Sequence, residues 1–117
     1  MTHQQFVSIL FEIEATAHKK HLQSLSYSEH MALGPLYEDI VGLRDRYVES
    51  YQGKYGLLKG YQINNKQEDL DIISYLKSQV VLIESFRKDL IDGYLQQISD
   101  DILELIYSTI YKLTFLK

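Results

Sequence analysis

Histidines and carboxylates at helical spacing are the residues of this chain that could do chemistry. Of the four histidines in its 117 residues, His18, His21 and His30 lie within a stretch of thirteen residues, and Asp45 and Glu49 follow them four residues apart. Imidazole and carboxylate ligands together suit Fe(II) at an open site, where vacant positions admit O₂ or H₂O₂. Because the sequence contains no cysteine, thiolate zinc sites and iron–sulfur ligation are excluded, so a metal site must use histidine and carboxylate.

A single predicted helix, from Ser28 to about Tyr51, carries most of these groups. Steps of three and four residues place one set on a shared face: His30, Gly34, Glu38, Val41, Asp45 and Glu49. The apolar stripe of the same helix lies nearly opposite and consists of Leu36, Ile40, Leu43, Tyr47 and Tyr51. If the apolar stripe faces a core, the ligand face points outward, and a second subunit is then expected to complete each site.

Three further helices are predicted from apolar periodicity and capping signals. They are residues 3–25 with Thr2 as N-cap, a helix from the capping-box pair Asn65 and Glu68 toward Gly93, and residues 100–116 with Ser99 as N-cap. In helix two, Pro35 leaves two alternatives, a continuous helix or a separate turn over residues 29–34. Helix one also has a second apolar stripe, which indicates a second packing partner that can be another chain. This stripe consists of Val7, Phe11, His18, Leu22 and Leu25.

The longest connection decides the predicted topology. Residues 53–65 contain three glycines and no clear periodicity, and they are long enough to return the chain to the end at which helix two starts. Helix three then runs parallel to helix two. The sequence therefore predicts one all-α domain over residues 1–117, a ferritin-like up-down-down-up four-helix bundle with one long crossover between helices 2 and 3.

The spacing of the candidate ligands resembles that of the Dps family of mini-ferritins, and so does the closing segment DDILELIYSTIYKLTFL. In that family two histidines twelve residues apart are followed, after the second, by carboxylates at +4, +15 and +19. Here His18 and His30 are twelve residues apart, and Asp45 and Glu49 stand at +15 and +19. The resemblance extends over nearly the whole chain, and short Dps-like sequences of this kind also resemble phage-encoded ones.

Two positions depart from the Dps pattern. The +4 position is Gly34, which cannot ligate a metal, and Glu38 lies one turn further on the same face as a replacement candidate. The first histidine has two candidates, because the spacing favours His18 whereas the local pattern favours His21. Glu14, one turn before His18, is a further residue that could orient a ligand or bind.

The resemblance implies a ferroxidase that binds iron (Fe²⁺/Fe³⁺) between two subunits, one giving the first three ligands and its mate the last two. The metal ligands expected here are His18, His21, His30, Glu38, Asp45 and Glu49. The implied assembly is a homodimer at least, and up to a dodecameric shell that stores or detoxifies oxidised iron. No organic cofactor and no catalytic residue beyond the metal ligands are expected.

A non-catalytic homodimeric helical bundle that has lost a complete ferroxidase site is the main alternative. Gly34 favours it, since one ligand of the Dps pattern is missing. Carboxylates four residues apart usually form a solvated helix face, and Asp45 and Glu49 have Arg44 and Arg46 nearby as counter-charges.

Composition and local pattern argue against a DNA-binding protein, a membrane protein and a histidine-phosphotransfer protein. A net charge of −4 and a sequence pI of about 5.5, without a Lys-rich extension, argue against a DNA partner. No apolar run approaches the ~18 residues of a membrane span, and the amphipathic start does not resemble a signal peptide, so a cytoplasmic location without a membrane partner is expected. A histidine-phosphotransfer bundle with His18 as acceptor would need Lys-Gly where the chain has His21 and Leu22.

Overall fold

The computed structural model describes residues 1–64 and 70–117 of the chain. In these residues the chain forms four α-helices, with the bounds α1 His3–Gln23, α2 Tyr27–Tyr55, α3 Ile72–Asp89 and α4 Gly93–Phe115. The predicted capping pair Asn65 and Glu68 lies outside the described residues. Helix α3 begins at Ile72, and Leu70 and Asp71 before it are not helical. The Asp71 side chain accepts a hydrogen bond from the Ile73 N–H and so caps the helix.

The first two helices begin at side-chain caps. Thr2 caps α1 as predicted, because its hydroxyl accepts from the Gln5 N–H while the Gln5 side chain accepts from the Thr2 N–H. The cap of α2 is Ser26, whose hydroxyl accepts from the Glu29 N–H, and the predicted cap Ser28 lies within the helix.

The second helix continues without interruption past Pro35, so the alternative of a separate turn over residues 29–34 is wrong. Pro35 is exposed, and the hydrogen bond that its missing N–H leaves unmade would have gone to the carbonyl of Met31, another exposed residue. The helix also continues past its predicted end near Tyr51 and ends at Tyr55, with Gly56 at φ 97° as its C-cap. That left-handed conformation suits glycine and closes the helix.

The fourth helix begins seven residues earlier than predicted, at Gly93 instead of Asp100. Asp92 is its N-cap residue, and its carbonyl accepts from the N–H groups of Leu95 and Gln96. Ser99, the predicted cap, is completely buried inside the helix. The connection between α3 and α4 is therefore short, because Asp89 ends one helix and Gly93 starts the next.

Contacts between helices fix their directions. Two ion pairs show that α2 and α4 are antiparallel. Lys54 pairs with Asp92 and Arg46 pairs with Asp101, so residue numbers fall along α2 as they rise along α4. The Arg87–Asp100 ion pair and the hydrogen bond from the Tyr107 hydroxyl to Glu84 show the same for α3 and α4.

The predicted topology is confirmed. The neighbouring pairs are α1 with α2, α2 with α4, α4 with α3 and α3 with α1. Helices α2 and α3 are diagonal and run in the same direction, joined by the crossover at residues 56–71. This is the ferritin-like up-down-down-up bundle.

The four helices bury one shared apolar core. Its largest fully buried side chains are Phe6, Leu10, Ile13, Leu33, Leu36, Ile40, Tyr47, Leu76, Ile83, Leu95, Ile102 and Ile106. Burial of a side chain of this size contributes about 2 kcal/mol to the hydrophobic stabilisation. In the described residues, no helix combines the length and the hydrophobicity that crossing a bilayer requires.

The second apolar stripe of α1 finds part of its partner within the chain. The ring of Tyr61, on the crossover, lies 5.7 Å from the ring of Phe11, and the Gln62 N–H donates to the Ser8 hydroxyl. Leu22 and Leu25, at the end of the same stripe, are exposed. Tyr61 and Gln62 therefore cover the start of this face, whereas Leu22 and Leu25 at its end are exposed.

Candidate functional site

The turn between α1 and α2 brings His21 and His30 together. Their rings are stacked, with centroids 3.7 Å apart and planes inclined by 16°. His21 lies in the last turn of α1 and His30 in the first turns of α2, so the short connection at residues 24–26 places them side by side. We call this pair the histidine clasp.

Each ring of the clasp bonds to the backbone of the other residue. His21 Nδ1 lies 2.6 Å from the carbonyl oxygen of His30, and His30 Nδ1 lies 2.8 Å from the carbonyl oxygen of His21. A carbonyl oxygen only accepts hydrogen bonds, so both Nδ1 atoms carry the proton and donate. In the neutral rings, both Nε2 atoms then hold the lone pair, the state in which imidazole binds a metal.

The clasp also satisfies a helix end. The carbonyl of His21 is among the last four of α1, which have no partner within the helix. His30 supplies that partner from the next helix. The clasp is therefore structural in the single chain, whatever its Nε2 atoms bind.

Tyr37 packs against both candidates for the first histidine ligand. Its ring stacks on the exposed His18 at 4.0 Å and meets the ring of His21 edge-on at 5.1 Å. The rings of His18 and His21 are 6.4 Å apart. Of the two candidates, His21 is the closer to His30, because the two rings are stacked. Tyr37 contacts both His18 and His21, and the sequence analysis did not predict this role for it.

Gly34 does not point outward as predicted. It is buried, and a Cβ atom built on it would lie 3.6 Å from Cε1 of His21. The position that carries the +4 carboxylate in the resembling family therefore faces α1 and adjoins the clasp. The periodicity of α2 alone does not predict this position, because Gly34 lies where α2 meets the last turn of α1.

The candidate carboxylates lie far from the histidines of the same chain. Along the continuous α2, Glu38 is about 12 Å from His30, Asp45 about 22 Å and Glu49 about 28 Å, at 1.5 Å per residue. All three are exposed. In residues 1–64 and 70–117 no three histidine, aspartate or glutamate side chains come together as a metal site.

Arg44 is the buried charge beside the carboxylate half of the site. Its guanidinium forms an ion pair with Glu14, stacks over the Phe11 ring at 3.9 Å and lies 3.4 Å from Asp45 Oδ1. Glu14 is thus engaged by Arg44 and not by a histidine. The helical spacing could have predicted that Arg44 is buried, because Arg44 follows the buried Ile40 by four residues on the same side of α2.

A cavity adjoins Asp45 and Glu49. It has a volume of about 240 Å³ and is lined by Phe11, Arg44, Asp45, Val48, Glu49 and Tyr61. The second predicted counter-charge, Arg46, points elsewhere and pairs with Asp101 at 3.6 Å. The carboxylate half of the candidate site therefore has Arg44 beside it and open space in front of it.

The opposite end of the bundle holds a separate polar cluster. The Asp92 carboxylate accepts from Lys54 Nζ and from the Tyr55 hydroxyl, both at 2.5 Å, and these hydrogen bonds hold the pKa of Asp92 below its usual value. Nearby, His3 Nδ1 lies 2.9 Å from the Tyr47 hydroxyl, and burial lowers the pKa of His3 although the charge of Asp92 opposes this. These contacts join α2 to the starts of α1 and α4.

Comparison with known proteins gives a family but no activity. A model described as a family of unknown function, DUF5856, matches residues 21–113, which include both histidines of the clasp. No curated protein and no solved structure matches the chain.

Proposed function

The chain belongs to the DUF5856 family, a family of unknown function, and for this member we propose ferritin-like iron chemistry. Fe(II) binds at a histidine and carboxylate site shared by two copies of the chain. It is oxidised there by O₂ or H₂O₂ and is stored or detoxified in the cytoplasm. The ferritin-like topology is compatible with this function but does not carry the proposal.

The histidine clasp carries the proposal. Both Nδ1 atoms donate to backbone carbonyls, so both imidazoles are held with the Nε2 lone pair available. Metal-binding histidines usually have their other ring nitrogen fixed by such a bond, which sets the tautomer and the orientation of the ring. His21 and His30 are the proposed imidazole ligands, with His18 beside them on Tyr37.

A second copy supplies the carboxylates in this proposal. If two α2 helices pack antiparallel so that His30 of one lies level with residues 45–49 of the other, the two-fold axis falls midway, close to Glu38. Each dimer then has two sites, and Glu38 lies at the axis instead of in a site. Asp45 and Glu49, next to a cavity on the surface of α2, are the ligands given to the partner. Larger shells, up to a dodecamer, would be built from this dimer.

A non-catalytic homodimeric bundle is the second candidate, and two contacts favour it. Gly34 is packed against His21 where the resembling family has a ligand, and Asp45 lies beside the buried Arg44 cation. Both residues then have structural roles that need no metal. Under this proposal the clasp only ties α1 to α2.

Iron titration with matched variants distinguishes the two. Fe(II) is added under argon, air is admitted, and ferric absorbance is followed for the wild type, Asp45→Asn and Asp39→Asn. Asp39 is an exposed carboxylate of α2 outside the ligand face, so Asp39→Asn is the control. We expect oxidation to fall at least about tenfold in Asp45→Asn only, because a neutral amide oxygen is a weaker ligand for Fe(II) than a carboxylate.

Iron-soaked crystals give the second measurement. The iron proposal requires an anomalous peak between the clasp of one chain and Asp45 and Glu49 of another. A map without that peak rejects it. A stable dimer that neither binds nor oxidises iron would favour the non-catalytic homodimeric bundle over the iron proposal.

A further inference from the structure

An exposed aromatic surface lies on the α3–α4 side of the bundle, away from the histidine clasp. Tyr107, Tyr111 and Phe115 follow one another at steps of four residues on α4 and are 48%, 53% and 71% exposed. Val81, on α3, is 66% exposed. We call these four residues the aromatic face.

The aromatic face is turned away from the core. The residues of α4 that fill the core, Ile102, Ile106 and Leu113, lie on its other side. The rings of Tyr111 and Phe115 are 5.8 Å apart, and the Tyr107 hydroxyl donates to Glu84 Oε1 at 2.6 Å across the α3–α4 seam. Neighbouring apolar groups left exposed in this way are typical of a binding surface.

The charges beside the aromatic face have opposite signs at its two ends. Lys77 and Glu84 are exposed residues of α3, two turns apart, with Val81 between them on the same side. Glu84 lies level with Tyr107, to which it is hydrogen-bonded. Because α3 and α4 are antiparallel, Lys77 lies two turns further on, near the level of Phe115. The face therefore has a negative end and a positive end.

We propose that the aromatic face binds the same face of a second copy of this chain, with the helices of the two copies antiparallel. A two-fold axis at the level of Tyr111 and Val81 makes the surface complementary to itself. Tyr107 of one copy then lies against Phe115 of the other, and Tyr111 against Tyr111. Lys77 of each copy faces Glu84 of its mate, whereas a parallel arrangement would place like charges together.

This interface is independent of the iron proposal. It uses α3 and α4, whereas the proposed metal site uses α1 and α2. The aromatic interface therefore needs neither metal nor the histidine clasp, so the His30→Ala variant should still self-associate through it in EDTA. Failure of one proposal leaves the other unaffected.

Charge reversal tests the proposed pairing. In sedimentation velocity experiments with EDTA, Lys77→Glu and Glu84→Lys each weaken self-association, because each variant opposes like charges at two places per dimer. Mixing the two variants restores association as heterodimers, and the double variant Lys77→Glu/Glu84→Lys restores it in one chain. Glu84→Gln, which keeps an acceptor for Tyr107, separates the effect of charge from that of the internal hydrogen bond.

The central ring gives a second test. Tyr111→Lys is expected to raise the dissociation constant about 100-fold, because both copies lose a central aromatic contact and two like charges meet at the axis. Leu57→Lys, at an exposed apolar residue of the crossover outside the aromatic face, is the control and leaves the constant unchanged. Circular dichroism verifies that each variant is folded. A wild type that stays monomeric at high concentration, an unaffected Tyr111→Lys variant or a failure of the mixed variants to associate would each overturn the proposal.

Discussion

The histidine clasp predicts a specific pattern of non-additive stability losses. His21→Ala removes one ring, the hydrogen bond from its Nδ1 to the His30 carbonyl and the stack between the rings. It does not remove the bond from the His30 ring to the backbone of residue 21, because alanine keeps the carbonyl. The converse holds for His30→Ala. Each single variant therefore loses one hydrogen bond and the stack.

The expected magnitudes follow from these contacts. A net hydrogen bond contributes about 1 kcal/mol and a stacked ring pair about 1 kcal/mol, so each single variant should lower the free energy of unfolding by about 2 kcal/mol. The double variant loses two hydrogen bonds but the stack only once, which is about 3 kcal/mol. The sum of the singles exceeds the double by about 1 kcal/mol, and this difference is the energy of the ring–ring contact.

Urea unfolding followed by circular dichroism, with EDTA present, measures all four corners of this cycle. His18→Ala is the control, because His18 is exposed and makes no hydrogen bond of the clasp type; it should cost no more than its stack on Tyr37, about 1 kcal/mol. Single variants that add fully to the double would refute the stacking contribution. Single losses below about 0.5 kcal/mol would refute the hydrogen-bond argument.

Two further predictions concern buried charge and pH. Glu14→Gln leaves the buried Arg44 without its main counter-ion, so the free energy of unfolding should fall by about 2–4 kcal/mol. The control is Glu49→Gln, at an exposed carboxylate, which should lower it by less than about 0.5 kcal/mol. Equal losses for the two variants in urea unfolding would contradict this prediction. His3 has a lowered pKa in the folded protein, so the unfolded chain binds more protons between the ordinary value of 6.5 and the lower folded pKa. Stability should therefore decrease as pH falls through that window and should depend less on pH in His3→Asn, which urea unfolding between pH 5 and 8 measures; an unchanged slope would show that His3 is not the group responsible.

Local signals were sufficient for the architecture but not for every boundary. Thr2, the helix periodicity and the long crossover led to the correct topology, because each is a property of nearby residues. The start of α4 was misplaced because Ser99 before two aspartates has the pattern of an N-cap, while Gly93 has that of a break. Burial of Ser99 in the core decides between the two readings, and that is a tertiary effect.

The candidate site was likewise predicted from the sequence only in part. Sequence reasoning named both His21 and His30, although the twelve-residue spacing favoured His18 and only the local pattern favoured His21. The short turn between α1 and α2 brings His21 and His30 together. Spacing could not find that Gly34 adjoins the ring of His21, because this depends on how α1 and α2 pack. It also could not find that Glu14 pairs with Arg44, because thirty positions separate them along the chain. The assignment of His18, Glu38, Asp45 and Glu49 as ligands stays a prediction.

The crossover at residues 56–71 has little spare length. It must return the chain along α2, whose 29 residues extend about 43 Å, whereas the fully extended crossover reaches roughly 53 Å. Removal of four or five of its residues would reduce that reach to about 40 Å or less, and the α3–α4 hairpin could no longer dock on the α1–α2 hairpin of its own chain. The two hairpins of such a shortened chain would find their partners only in a second molecule, so we expect the deletion to produce a domain-swapped dimer.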